Sequence, residues 1–167
     1  MKKMTDANLH DAFSGESQAH MKYLAFADVA EKEGHENIAK LFRAIAYAEQ
    51  VHATNHYKAL GGIGDTVANL GSALAGENFE VDEMYPAYDA VAKLQGEKDA
   101  IRSIHYAIEA EKVHANMYSD ALNTVKQGKD VSIEKVYICP VCGFTAIDDA
   151  PDTCPVCGVS KAKFKVF

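Results

Sequence analysis

Two stretches of the chain, Ala48-Glu49-Gln50-Val51-His52-Ala53 and Ala110-Glu111-Lys112-Val113-His114-Ala115, differ at a single residue and lie 62 positions apart. On a helix, a Glu and a His three residues apart sit about one turn from each other on the same face, so both can grip one metal centre. One such pair is weak evidence, because helices are full of them. Here each copy has a lone partner: Glu16 and Glu77 precede the two Glu-x-x-His units and are offset by 61. Each of these glutamates falls in the middle of an otherwise apolar helical seam. An unpaired carboxylate there costs several kcal/mol or takes up a proton, and four converging ones are worse. A polyvalent cation removes the difficulty. The pattern of two lone Glu and two Glu-x-x-His is the inward-facing ligand set of a di-iron or di-manganese bundle. Its symmetry is broken at Glu80, three residues after Glu77, where the first half has Ala19. Glu83 continues that spacing and reads as a solvated face.

A second cluster closes the chain. Cys139-Pro140-Val141-Cys142-Gly143 and Cys154-Pro155-Val156-Cys157-Gly158 are identical pentapeptides with 11 residues between Cys142 and Cys154. Two such knuckles offer four thiolates in a tetrahedron, suited to zinc or to a single iron. The Gly after each second Cys permits a tight, φ-positive turn that aims backbone N–H groups at sulfur. Two disulfides are the rival reading, disfavoured by the regular spacing and by an N-terminus with no apolar run behind its basic residues. A structural zinc module is the plain alternative. Iron is favoured by the neighbouring dinuclear site, which needs an electron supply.

These ligands require long helices followed by a small knuckle module. Residues from about 5 to 126 are rich in Ala, Leu, Glu, Lys and Met, with Gly at the breaks, and predict helices over 6–32, 36–60, 66–94 and 97–127. Asp6 and Asp65-Thr66 are the expected N-caps. Pro86 should kink or interrupt the third helix. Short connections predict sequential helices as antiparallel neighbours. The expected seams include Phe42, Ile45, Glu49, His52, His56 and Ala59 on the second helix. On the third they are Leu70, Leu74, Glu77, Val81, Met84, Tyr88 and Val91. After Gly128, Val131-Ser132-Ile133, Val136-Tyr137-Ile138 and Phe164-Lys165-Val166-Phe167 read as short strands and turns. Tyr137, Phe144, Phe164 and Phe167 could form a small aromatic core. The division falls at 1–130 and 131–167.

The 167 residues carry 17 basic and 24 acidic side chains, a net charge of -7, which argues against a nucleic-acid surface. No apolar run approaches the roughly 20 residues that span a bilayer. With no export signal read, a cytoplasmic protein is expected. No G-x-G-x-x-G fingerprint follows a strand, so a dinucleotide is not expected to bind this chain.

The chain resembles rubrerythrin over essentially its full length. The resemblance is carried by Gly15-Glu16-Ser17-Gln18-Ala19, the two Glu-x-x-His helices, Ala75-Gly76-Glu77-Asn78-Phe79-Glu80 leading to Glu83-Met84-Tyr85-Pro86, and the rubredoxin-like knuckles. It implies a mainly α fold: a ferritin-like antiparallel four-helix bundle with a di-iron site, then a small rubredoxin-like β/knuckle domain with one iron. Zinc is a possible substitute in these sites. Glu16, Glu49, Glu77, Glu80, Glu111 and His114 match the family's di-iron ligands, with Glu49 and Glu111 as bridges. His52 matches the ligand that exchanges with Glu80 as the irons change oxidation state. Cys139, Cys142, Cys154 and Cys157 match the mononuclear iron ligands. Subunits are expected to pair head to tail in a homodimer, bringing one chain's rubredoxin-like site near its partner's di-iron site.

The implied activity is a non-haem peroxidase in oxidative-stress defence. It reduces hydrogen peroxide to water with electrons from a separate NAD(P)H-dependent reductase, relayed by the rubredoxin-like iron. A ferroxidase or oxidase using dioxygen, and a non-catalytic zinc- or iron-binding protein, are the alternatives. Tyr23 and Tyr85 are candidates to hydrogen-bond a ligating carboxylate, with packing as the equal alternative. His20 and His56 lie one turn from proposed ligands and read as edge or hydrogen-bonded residues. His10, His35 and His105 read as surface or packing residues.

Overall fold

A computed structural model describes all 167 residues, which form two compact units, Met1–Gly64 and Asp65–Phe167. The first unit is an antiparallel hairpin of α1 (Lys3–Lys32) and α2 (Glu36–Ala59). Helix α1 starts earlier than the sequence predicts. Asp6 does not cap it; the Asp6 N–H bonds the Lys2 carbonyl at 3.0 Å, one turn further back. The hairpin turns at Gly34, which holds φ +81°, and the His35 N–H closes onto the Ala30 carbonyl at 2.8 Å. A left-handed residue here is the usual helix stop, and Gly adopts it without steric cost.

The buried line of α2 is Ala39, Ala46 and Ala53, one every seven residues, and Ala39 packs with Ala27 and Ala30 of α1. The expected α2 seam is therefore partly displaced. Ile45 and His52 lie one position over and are exposed, while Phe42 and Glu49 stay on the protected side. Small side chains take the contact line because they let two backbones approach closely. Replacing Ala46 by Leu is expected to cost about 1–3 kcal/mol through overpacking, read as a lower denaturation midpoint of the full chain. An Ala46→Gly change should cost only the smaller helix-propensity difference.

The second unit pairs α3 (Thr66–Phe79) and α4 (Tyr85–Gln95) with α5 (Lys98–Lys126). Asp65 caps α3 as expected, its carboxylate accepting from the Ala68 N–H at 2.8 Å. Between α3 and α4 runs one π-turn, Glu80–Met84, in which the Tyr85 N–H reaches back five residues to the Glu80 carbonyl. Pro86 is the cause at hand: it has no N–H and its ring crowds the carbonyl four residues back, so the ladder widens just before it. The extra residue shifts the protected face by one position. Tyr88 and Val91, expected in the seam, are exposed, while Asp89 and Ala92 take their places.

The remainder of this unit is a three-stranded antiparallel sheet in the order β2-β1-β3, from β1 (Val136–Ile138), β2 (Thr145–Ile147) and β3 (Lys165–Val166). Val136 pairs with Ile147, and Tyr137 with both Ala146 and Val166. Val131-Ser132-Ile133 forms no strand, and Val131 and Ile133 are exposed. The fold is the expected one in class: mainly α, four long helical segments in antiparallel pairs, and a small β/knuckle module at the C-terminus. No helix is long and apolar enough to cross a membrane.

Candidate metal centres

The two knuckles repeat one hydrogen-bonded turn. In the first, the Gly143 N–H bonds the Cys139 carbonyl at 3.0 Å and the Cys139 N–H bonds the Phe144 carbonyl at 2.9 Å. In the second, Gly158 bonds Cys154 at 2.9 Å and Cys154 bonds Val159 at 2.8 Å. Gly143 and Gly158 hold φ of +80° and +77°, as the sequence requires of them. All four sulfurs lie within 4.8 Å of one another and none is in a disulfide. The Cys139–Cys157 and Cys142–Cys154 sulfur separations are 3.4 and 3.5 Å. A tetrahedral metal with bonds of about 2.3 Å sets such edges near ~3.8 Å.

Burial pushes the Cys142 and Cys157 thiols up. At Cys154 burial is outweighed by the N–H groups of Cys157 and Val156, which with neighbouring thiols bring it down to about 7. One thiolate is thus ready near neutral pH, and a cation favours ionisation of Cys142 and Cys157. Phe164 and Ala150 are buried with the cysteines, and Tyr106, Tyr137, Phe144, Val156 and Val159 pack around them. Phe167 is exposed and lies outside this core.

The carboxylate and imidazole ligands gather as two matching triads, one in each unit. In the first unit His52 Nδ1 stands 3.0 Å from Glu49 Oε2 and 3.9 Å from Glu16 Oε1. In the second, His114 Nδ1 stands 2.6 Å from Glu111 Oε2 and 4.0 Å from Glu77 Oε1. The correspondence follows from the repeated Glu-x-x-His spacing and from one lone Glu on the antiparallel helix. The triads differ in exposure: the His52 side chain is 54% exposed, that of His114 26%.

Glu80 is not part of the tight triad. It leaves the π-turn close enough to Glu111 and His114 to feel their charge, and burial, then Glu111, pushes its carboxyl up. Tyr85 is raised by burial and by the carboxylates of Glu80, Glu111 and Glu77, which places its hydroxyl in their field. Tyr23 instead packs against the rings of Phe26 and Phe42, with centroids 6.2 and 6.1 Å away. His20 ties the first hairpin together through Nδ1 to the Ala46 carbonyl at 2.8 Å. Sequence reasoning missed one residue of this region. Thr145, on β2 and 5% exposed, reaches His114 Nε2 at 2.7 Å. Nothing in its local sequence marks it; only the docking of β2 against α5 does.

The triads fit a metal on their own chemistry. Glu77 Oε2 is buried with no hydrogen-bond partner, a state that natural interiors rarely leave uncompensated. Burial and then the neighbouring Glu111 push the Glu77 carboxyl from 4.5 up to about 8. Without metal it therefore holds a proton at neutral pH, and a bound cation would displace it.

The sign of the pH effect follows. Glu77 takes up a proton on folding, so its contribution to stability is full below its unfolded value and is lost as pH rises through about 8. Metal-free protein should lose thermal stability from about pH 5 to pH 8, whereas metal-loaded protein should not. Loading with Fe2+ at pH 7 should also release protons, measurable by calorimetry in buffers of different ionisation enthalpy.

Comparison with known proteins agrees with this chemistry. The rubrerythrin family model matches residues 7–122, and the model of the rubrerythrin rubredoxin-like domain matches residues 137–165. Rubrerythrin-2 of Clostridium acetobutylicum is 46% identical, over 98% of this chain and 97% of the relative. Nigerythrin of Nitratidesulfovibrio vulgaris is 36% identical, over 96% and 85%. The solved structure of fully reduced, all-ferrous nigerythrin aligns with a TM-score of 0.59 at 33% identity, over 98% of this chain and 86% of that one. The Glu/His groups and the four-cysteine site therefore fit iron cofactors. With both domain models matched in order and relatives aligned almost end to end, this chain belongs to the rubrerythrin family.

Proposed function

We propose that the chain is a non-haem di-iron peroxidase, reducing hydrogen peroxide to water with electrons entering through its four-cysteine iron. The observation that carries this reading is the pairing of two like Glu/Glu/His triads with a tetrathiolate site in one chain. In the proposed centre Glu16, Glu49, His52, Glu77, Glu80, Glu111 and His114 hold two irons. Cys139, Cys142, Cys154 and Cys157 hold the third. Bound there, the irons supply the two electrons that the reduction of peroxide consumes.

The protein's own groups do the rest. Carboxylates favour the ferric state by charge, and neutral imidazole favours the ferrous state. Glu80 sits just outside the second triad and His52 inside the first, and in this reading the two exchange as ligands. Away from metal, burial and then Glu111 push the Glu80 carboxyl up. Tyr85 lies in the field of that carboxylate. A cytoplasmic, homodimeric protein served by an NAD(P)H-dependent reductase completes the reading.

Stopped-flow oxidation of the fully reduced protein by peroxide and by dioxygen, side by side, tests it. Peroxide should react much faster. A faster reaction with dioxygen would mean an oxidase or ferroxidase, and a colourless, redox-silent protein holding zinc in every site would mean no redox enzyme. His52→Ala should keep most of its iron yet turn over peroxide about tenfold more slowly. Unchanged turnover would remove the exchange of His52 with Glu80.

A further inference from the structure

The four-cysteine module is docked on α5 of its own chain, against the triad helix itself. Tyr106 packs on the cysteine core, and the position a Cβ would take on Gly143 is 3.6 Å from the Ala110 Cβ. One turn on, His114 Nε2 meets Thr145 Oγ1 at 2.7 Å, and the Thr145 hydroxyl donates to the Gly143 carbonyl at 3.1 Å. Gly143 directly follows Cys142.

The Gly143 carbonyl can only accept, and a hydroxyl has one hydrogen. When Thr145 gives that hydrogen to Gly143, the hydroxyl accepts at His114, and Nε2 carries the imidazole hydrogen, the tautomer that frees Nδ1 for a metal. Nδ1 is left with a lone pair, 2.6 Å from the Glu111 oxygen. Two acceptors so close call for a cation or a proton between them, and the ring is held with its metal-binding nitrogen turned toward the carboxylates. Partners of this kind commonly orient metal-ligating histidines.

We propose that Thr145 is a positioning residue with two linked tasks. It fixes His114 as the Nε2–H tautomer, and it completes a hydrogen-bonded path from Cys142 to that ligand within one chain. The step served is a one-electron transfer. The thiolate-bound iron passes from ferrous to ferric, an iron at the His114 triad passes from ferric to ferrous, and no bond is made or broken. This inference rests on the di-iron reading, and it sets an intrachain route beside the one expected between head-to-tail partners.

The test uses the full-length protein with Thr145→Val, which keeps the shape and loses the hydroxyl, and Thr145→Ser, which keeps the hydroxyl. An unchanged thiolate-to-iron absorption band shows that the knuckles are intact. After the reduced protein is mixed with oxidant, the rate at which that band reappears should fall at least tenfold in Thr145→Val and stay within about twofold in Thr145→Ser. Equal rates in all three proteins, or a Thr145→Ser protein as slow as Thr145→Val, would overturn the proposal.

A second measurement needs no variant and no turnover. In zinc-loaded wild-type protein, nitrogen NMR of the His114 ring should show a hydrogen-bonded, slowly exchanging Nε2–H. A hydrogen on Nδ1 would overturn the assignment. Failure of the peroxidase reading looks different: peroxide would then leave both iron sites reduced, whatever residue stands at 145.

Discussion

Cys142→Ser is expected to abolish the colour of the four-cysteine iron and to cut reductase-driven peroxide turnover at least a hundredfold. Iron at the Glu/His triads should remain. The reasoning starts from burial. Cys142 is 7% exposed and its thiol is pushed up by that burial, so it ionises only against a metal. Serine offers a harder, far less acidic oxygen in a pocket shaped for a 2.3 Å bond to sulfur. A three-thiolate site of this kind loses the closed tetrahedron that both knuckle turns were built to present. The effect should be selective. A single reoxidation of pre-reduced triads by peroxide does not need the relay and should survive at close to the normal rate. Loss of steady turnover with a preserved first oxidation would mark the module as the electron entry. If steady turnover were kept, electrons would be reaching the triads by another way.

That selectivity is expected because of how the module is attached. Sequence spacing shows the tetrathiolate site, since C-x-x-C pairs fix sulfur positions through local turns, and Gly143 and Gly158 do adopt the required φ. The triads were legible for a similar reason. A helix converts a spacing of three into a shared face, and Glu49/His52 and Glu111/His114 come out as near copies. What was not legible depends on non-local packing. The alanine line Ala39, Ala46, Ala53 carries the first hairpin because helix approach distance, not hydrophobicity alone, selects the contact face. The π-turn at Glu80–Met84 moves the protected face from Tyr88 and Val91 to Asp89 and Ala92. Pro86 announced an interruption, but not its sense or its one-residue shift. Thr145 joins the site only through the packing of β2 against α5. Asp6, a good cap by residue type, lost to a helix that begins a turn earlier.

Glu111→Gln should move stability and function in opposite directions. Glu111 lies at the crowded centre of the second triad, its Oε2 2.6 Å from His114 Nδ1, and its charge helps to raise both Glu77 and Glu80. In metal-free protein the substitution removes a carboxylate from a half-buried cluster of three while leaving a group of the same shape. Burial remains the first cause of the Glu77 shift, so only part of the strain is relieved. About 1 kcal/mol of added stability at pH 7 is the expected scale, seen as a higher melting temperature of the metal-free chain. The loss of stability between pH 5 and 8 should become shallower as well. Iron binding should change the other way. A neutral amide cannot serve as a bridging carboxylate, and a second-half site left with Glu77, Glu80 and His114 should bind Fe2+ at least a hundredfold more weakly, with peroxide turnover lost. The four-cysteine band should be unaffected. A destabilised metal-free variant would mean that Glu111 is held by packing and hydrogen bonds whose worth exceeds the repulsion. A stabilised variant that still loaded iron normally would remove Glu111 from the ligand set. The expected combination, a tougher empty protein that no longer holds its metal, is the signature of a site whose carboxylates are kept together for the cation rather than for the fold.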